Sequence, residues 1–184
     1  MERIYRFAPV DGGGVEHLSL QWREDIIVAE SVVVGDRDGH YGCSYRICCD
    51  SGWQVRSAEV VVAGGGSCVL TSDGAGEWRD GDGVILPELA GCIDVDISAT
   101  PFTNTLPIRR LGARLDERTG ITVAYIKIPE LGPRPMAQAY TRLPDGRYLY
   151  ESVDSGFQAA LVVDADGVAL DYPGLFRRIA VGGA

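Results

Sequence analysis

Hydrophobic and polar residues alternate with a period of two along most of this chain. Segments 15–22, 26–35, 41–50, 53–63, 68–71, 121–129, 136–143, 148–153 and 157–164 are rich in β-branched and aromatic residues and predict strands. Turn signals separate them at short intervals. Asp-Gly occurs seven times, at 11–12, 38–39, 73–74, 80–81, 82–83, 145–146 and 166–167. Asp-Gly suits the positive φ of a type I′ hairpin, so this density predicts an antiparallel meander. No long stretch carries the 3.6-residue period of an amphipathic helix. The helical candidate is the short turn 100–106, with Thr100 as cap, Pro101 at the first helical position and Pro107 as its stop.

Strands of this length joined by tight turns build a large curved sheet. Such a sheet closes into a barrel or folds over itself, because open edges invite aggregation. The expected class is all-β with one or two short helices, and curvature of this kind commonly leaves an interior cavity. No linker interrupts the pattern, so residues 1–184 read as a single domain. Gly64-Gly65-Gly66 reads as a loop between strands, 130–135 as a rigid loop, and Gly182-Gly183-Ala184 as a frayed tail.

Composition narrows the function classes. With 184 residues and 46% hydrophobic content, the chain can bury one substantial core. Its formal net charge of −9 disfavours nucleic acid and anionic membrane surfaces as partners. No apolar run is long enough to span a membrane, and Met1-Glu2-Arg3-Ile4-Tyr5-Arg6-Phe7 lacks the apolar centre of a signal peptide. A cytoplasmic location is the expectation. The cysteines Cys43, Cys48, Cys49, Cys68 and Cys92 are odd in number and show no framework spacing, which predicts reduced, buried thiols. Cys43 and Cys49 on one strand would sit roughly 20 Å apart, too far to share a metal ion. No metal or cofactor is expected: there is no Walker loop, no βαβ rhythm and no Gly-x-Ser-x-Gly elbow. His17 and His40 lie in no nucleophile–base context.

The candidate chemistry concentrates in residues 91–111. Asp94 and Asp96 alternate there with Ile93, Val95 and Ile97, which puts both carboxylates on one strand face. Their Cβ atoms would sit roughly 7 Å apart. That geometry suits hydroxyl acceptors for a sugar, or an acid–base pair for glycoside hydrolysis. The plainer explanation is a solvated face, or ion pairs with Arg109 or Arg110. On an extended segment those two arginines face opposite ways, so only one can reach the aspartates. It then serves as a buried ion pair or as a planar donor for phosphate or carboxylate. Thr100 and Asn104 add polar groups to the same turn. A second unusual segment runs from Asp171 through Tyr172-Pro173-Gly174-Leu175-Phe176-Arg177-Arg178 and reads either as a C-terminal strap over the core or as a ligand contact. Among the tryptophans, Trp53 after the Asp50-Ser51-Gly52 turn is best placed for a pocket mouth, though tryptophan more often packs in a core.

Gly91–Leu111 and Asp171–Arg178, with Gln138-Ala139-Tyr140-Thr141, Tyr148-Leu149-Tyr150-Glu151 and Asp50-Ser51-Gly52-Trp53, together resemble the bacterial "putative glycolipid-binding" family, a former domain of unknown function. The resemblance covers essentially the whole chain. It implies a spiral β-roll, a long antiparallel sheet coiled into a half-barrel and similar in architecture to periplasmic lipoprotein carriers. It also implies a glycolipid or other amphiphile as partner. Its acyl part would enter an interior lined by residues such as Val123, Tyr125, Leu161 and Val163. Its head group would meet Asp94, Asp96, Thr100, Asn104 and one of Arg109 or Arg110 at the rim, with Trp53, Tyr172 and Arg177 as further candidate ligand-binding residues. Two other readings compete: an enzyme on a glycoconjugate using Asp94 and Asp96, and an interaction module without a small-molecule ligand.

Overall fold

The computed structural model describes residues 1–37 and 39–180. A single sheet of 14 strands forms the molecule, and it is not closed into a barrel. Seven strands meander outward from the N-terminus: β1 (Glu2–Pro9), β2 (Val15–Trp22), β3 (Ile26–Gly35), β4 (Tyr41–Asp50), β5 (Val55–Val62), β6 (Ser67–Ser72) and β7 (Trp78–Asp80). The chain then crosses to the opposite edge as β8 (Asp94–Ile97). It turns through a 3-10 segment, Phe102–Asn104, and a short helix, α1 (Thr105–Leu111). A second meander returns through β9 (Thr119–Ile126), β10 (Pro133–Arg142), β11 (Tyr148–Ser152), β12 (Gln158–Val163), β13 (Ala169–Tyr172) and β14 (Phe176–Arg178), which closes against β1. Every described pairing is antiparallel except that of β8 with β9.

Alternation decides which side of each strand is inside. On β2, Glu16, Leu18 and Leu20 are buried while Val15 and His17 are exposed; on β5, Val55, Ala58, Val60 and Val62 point inward. The sheet rolls so that β8 lies across the interior from β5. Its two edges are tied without strand pairing: Trp78 Nε1 donates to the Cys92 carbonyl at 2.7 Å, and the Gly91 N–H donates to the Gly76 carbonyl at 2.9 Å. Gly76 has φ +114° and a Cβ there would stand 2.9 Å from the Gly91 Cα, so this approach requires glycine.

Two apolar clusters fill the roll. One joins Leu18, Leu20, Ile47, Trp78, Ile97, Phe102, Leu106 and Ile126; the other joins Ile108, Leu111, Leu115, Tyr140, Tyr150, Leu161, Tyr172 and Phe176. The helix bridges them, with Leu106 in the first cluster and Ile108 and Leu111 in the second. The expected helix at 100–106 is thus displaced. Thr100 does cap the turn, since its Oγ1 accepts the Phe102 N–H at 3.0 Å. Pro107 is no stop. It sits in the first turn of α1, where its missing N–H has no intrahelical acceptor to lose, and the helix continues to Leu111.

The hairpins also differ from the expected type I′. No aspartate of a described Asp-Gly pair has positive φ. Instead Leu143–Gly146, Asp80–Gly83 and Asp164–Gly167 are four-residue turns whose last residue, a glycine, takes the left-handed conformation. In two of them the leading aspartate fixes the loop: Asp80 Oδ1 accepts the Asp82 and Val84 N–H groups, and Asp164 Oδ1 accepts those of Asp166 and Val168. Asp50–Trp53 repeats this device with Trp53, at φ +65°, where the others carry glycine. Among the described residues, no helix is long and apolar enough to cross a membrane.

Candidate functional site

A cavity of about 350 Å³ opens on the half of the roll built by the second meander. That size lies within the range of small-molecule sites. Its floor is the end of β8 and the turn that follows: Asp96, Ser98, Thr100 and Asn104 all line it. Tyr125, Tyr150, Phe157, Tyr172 and Phe176 supply an aromatic wall, and Arg37, Arg134 and Ser155 stand at the lining with Leu175. Tyr150, Phe157 and Tyr172 form a triangle, with ring centroids 6.2 Å, 5.9 Å and 6.3 Å apart. These are packing distances for tilted aromatic pairs.

The two aspartates of β8 share a strand face and meet different partners. Asp94 is fully buried and held by Arg110 through two bonds, Nε to Oδ1 at 3.0 Å and Nη2 to Oδ2 at 2.5 Å. Burial pushes its pKa above the ordinary carboxylate value while the guanidinium pulls the other way. Asp94 does not line the cavity. Asp96 does. Its Oδ1 accepts from the Thr103 hydroxyl at 2.8 Å and its Oδ2 from the Gln138 amide at 2.7 Å. Gln138 Oε1 in turn accepts from Tyr140 at 3.2 Å, and the Tyr140 hydroxyl also reaches Asn104 Oδ1 at 2.9 Å. No arginine or lysine pairs with Asp96 among the described residues. Burial raises its pKa, and only those two neutral hydrogen bonds oppose the rise.

Behind the Thr100 wall lies a second buried carboxyl. Glu16 Oε1 accepts from Tyr45 at 2.6 Å, Ser31 at 2.8 Å and Thr100 at 2.9 Å, and its Oε2 has no partner among the described residues. Burial pushes the Glu16 pKa up to about 7 against the pull of the three hydroxyls.

The structure therefore brings together Asp96, Thr100, Asn104 and Tyr172 from the residues singled out in the sequence. The others lie elsewhere. Asp94 and Arg110 form their pair beyond the cavity floor. Arg109 lies over the buried Trp53 ring, 5.4 Å from its centroid. Because 109 and 110 lie on a helix, not an extended segment, they diverge by about 100°. Arg177 is exposed on β14, while its neighbour Arg178 reaches Asp164 at 2.7 Å and lies 4.7 Å from the Tyr5 ring centroid. Of the four residues expected to line an acyl channel, only Tyr125 faces the cavity; Val123 and Leu161 are sealed in the interior.

Sequence reasoning missed Arg37, Arg134 and Phe157, and it gave Glu16, Gln138 and Tyr150 no site role. A signal existed for three of these. Glu16 alternates with Leu18 and Leu20, so it must point inward. Gln138 and Tyr140 alternate on β10, directly opposite Ser152 and Tyr150 of β11. Arg37 is brought in by the loop after β3, whose placement no local pattern fixes, whereas Arg134 lies on β10 opposite Tyr125 of β9.

No curated protein matches the chain. Among solved structures, the crystal structure of a DUF1089 family protein from Pseudomonas aeruginosa is similar: 43% identity, TM-score 0.77, covering 89% of this chain and 92% of that one. The family model described as "Putative glycolipid-binding" matches residues 5–178, spanning both meanders, β8 and the cavity floor. The chain belongs to that family.

Proposed function

We propose that the protein binds an amphiphile non-covalently and seats its head group in the cavity floored by Asp96. The observation that carries this reading is the division of the lining. Acceptors and hydroxyls gather on the floor, on Asp96, Ser98, Thr100 and Asn104; aromatic and aliphatic side chains make up most of the remaining lining, with Arg37, Arg134, Ser152 and Ser155 among them. A concave apolar site with a few convergent polar groups is the usual form of a small-molecule pocket. The family description supports a glycolipid as one such ligand. At about 350 Å³ the space holds roughly a dozen water-sized groups, enough for a head group and the start of one chain. The rest of the chain would leave past the exposed ring of Phe157 and past Leu175. Each methylene buried on that path contributes about 0.8 kcal/mol.

The test is thermal unfolding with single-chain amphiphiles, kept below their micelle thresholds. Ser155 stands exposed at the lining on a loop, so Ser155→Trp fills the entrance, at the loss of the hydroxyl's hydrogen bonds to Ser152 and to the Phe157 N–H. The expected result is a ligand-dependent rise in Tm for the wild type that Ser155→Trp abolishes. Equal stabilisation of both proteins, or of neither, contradicts the reading.

A further inference from the structure

The two carboxylates of β8 differ in one respect that bears on the ligand's charge. Asp94, which does not face the cavity, is neutralised by Arg110. Asp96, which does, receives only neutral donors. Both Asp96 oxygens accept hydrogen bonds, and the Gln138 amide is oriented by Tyr140 so that its N–H faces the carboxylate. An ionised carboxylate fits this set, with the Gln138 N–H as its obligate donor. Asp96 is part-buried, and a charge withdrawn from water without a counter-ion is costly, so the missing cation is a specific deficit at this position. A sugar hydroxyl would add a hydrogen bond and leave the charge uncompensated.

The walls suit a cation as well. Tyr125, Tyr150, Phe157 and Tyr172 surround the space into which Asp96 opens, and aromatic cages of this kind attract ammonium groups through the ring quadrupole. One of these rings already carries a cation: the Arg134 guanidinium carbon lies 5.0 Å from the Tyr125 centroid. The chain's net charge of −9 biases its surroundings in the same direction. Arg37 and Arg134, also in the lining, would repel a simple cation unless it carries an anionic group to meet them.

We infer that the cavity is a cage for an alkylammonium nitrogen held between Asp96 and the rings of Tyr150, Phe157 and Tyr172, in a head group whose anionic part lies toward Arg37 and Arg134. This rests on the amphiphile reading above and specifies its ligand. The shared chemistry has two sources, a quaternary ammonium head group of the phosphocholine type and a phosphorylated amino sugar.

The experiment compares isosteres in displacement of a bound single-chain phosphocholine amphiphile from the wild-type protein. Phosphocholine is set against 3,3-dimethylbutyl phosphate, which has the same shape without the ammonium charge, and glucosamine 6-phosphate against glucose 6-phosphate. The expected result is that at least one ammonium compound displaces the amphiphile at a concentration at least tenfold lower than its counterpart without the ammonium. The pair that shows the advantage identifies the source. Asp96→Asn, checked for folding by circular dichroism, should reduce that advantage to less than twofold. If the variant does not fold, the wild-type comparison decides alone. Equal potency within both pairs, displacement by no competitor, or an undiminished advantage in folded Asp96→Asn overturns the inference. Binding of neutral alkyl glucosides without an ammonium preference overturns the inference and leaves the amphiphile reading standing. If no amphiphile binds at all, both fall.

Discussion

Among the described residues, Glu16 accepts three hydroxyl hydrogen bonds on a single oxygen and none on the other. Tyr45, Thr100 and Ser31 supply the donors, and Cys43 and Tyr41 stand close enough for Glu16 to raise their pKa values further. With its own pKa near 7 in the folded protein and an ordinary value of 4.5, Glu16 holds a proton that the unfolded chain releases. The sign follows directly. Below about pH 4.5 both states are protonated and the group contributes no slope. Between there and pH 7 the native state binds more protons, so stability falls as pH rises, by up to about 1.4 kcal/mol per pH unit. The prediction is a decline in urea-unfolding free energy from pH 4.5 to 7.5 that is markedly shallower in Glu16→Gln. Parallel slopes in the two proteins would contradict it. Asp94 and Asp96 act with the same sign, because burial raises them too, so the difference between proteins is the quantity to read. At this scale the sequence showed that residues 94 and 96 share a face. It could not show which of them Arg110 would neutralise, because that depends on the direction in which α1 presents the arginine.

The short helix α1 does more for stability than its length suggests, because it joins the two apolar clusters. Leu106 is completely buried among residues of the first meander, and its truncation leaves a void that rigid strands cannot close. Leu106→Ala should cost about 2–5 kcal/mol in denaturant unfolding. Pro107 is also buried but donates nothing to the helix, so Pro107→Ala should cost about 1–3 kcal/mol, from two lost ring methylenes and a looser unfolded chain. A larger loss for Pro107→Ala than for Leu106→Ala would show that the proline, and not the leucine, organises the turn. The same region shows why local reading went astray. Thr-Pro and Leu-Pro both look like boundaries, yet a proline in the first helical turn is no breaker, and only the position of Thr105 as first helical residue separates the two cases. The nine segments predicted as strands all contain one, within a few residues at their ends. The strands left out, β1, β7, β13 and β14, are short or lie at chain ends. Their pairing comes from neighbours in space: β14 has only three residues and is held between β1 and β13.

For the whole molecule, hairpin signals made an antiparallel all-β sheet legible, and the family resemblance supplied its rolled form. The connection that creates the cavity was not legible. After β7 the chain abandons its neighbours and places β8 at the far edge, parallel to β9. A parallel pairing of this kind needs a crossover, which no turn motif announces. β8 and the crossover that follows it carry Asp96, Thr100 and Asn104 beneath the aromatic residues of β9, β11 and β13, and so convert a polar stretch of sequence into the floor of a cavity. Ring packing among Tyr140, Tyr150, Tyr172 and Phe176 then fills the rest of that half, which is why the deep acyl channel expected along Val123 and Leu161 is absent.

The central claim is that this cavity is where an amphiphile binds. The most direct measurement is a two-dimensional amide NMR titration of the full chain with a single-chain phosphocholine amphiphile below its micelle threshold. Saturable shifts at Asp96, Ser98, Asn104, Tyr125, Ser152 and Tyr172, with the outward-facing residues Val32, Val34 and Val61 unmoved, are the predicted result. Shifts centred on that exposed valine face, or none that saturate, would contradict the account.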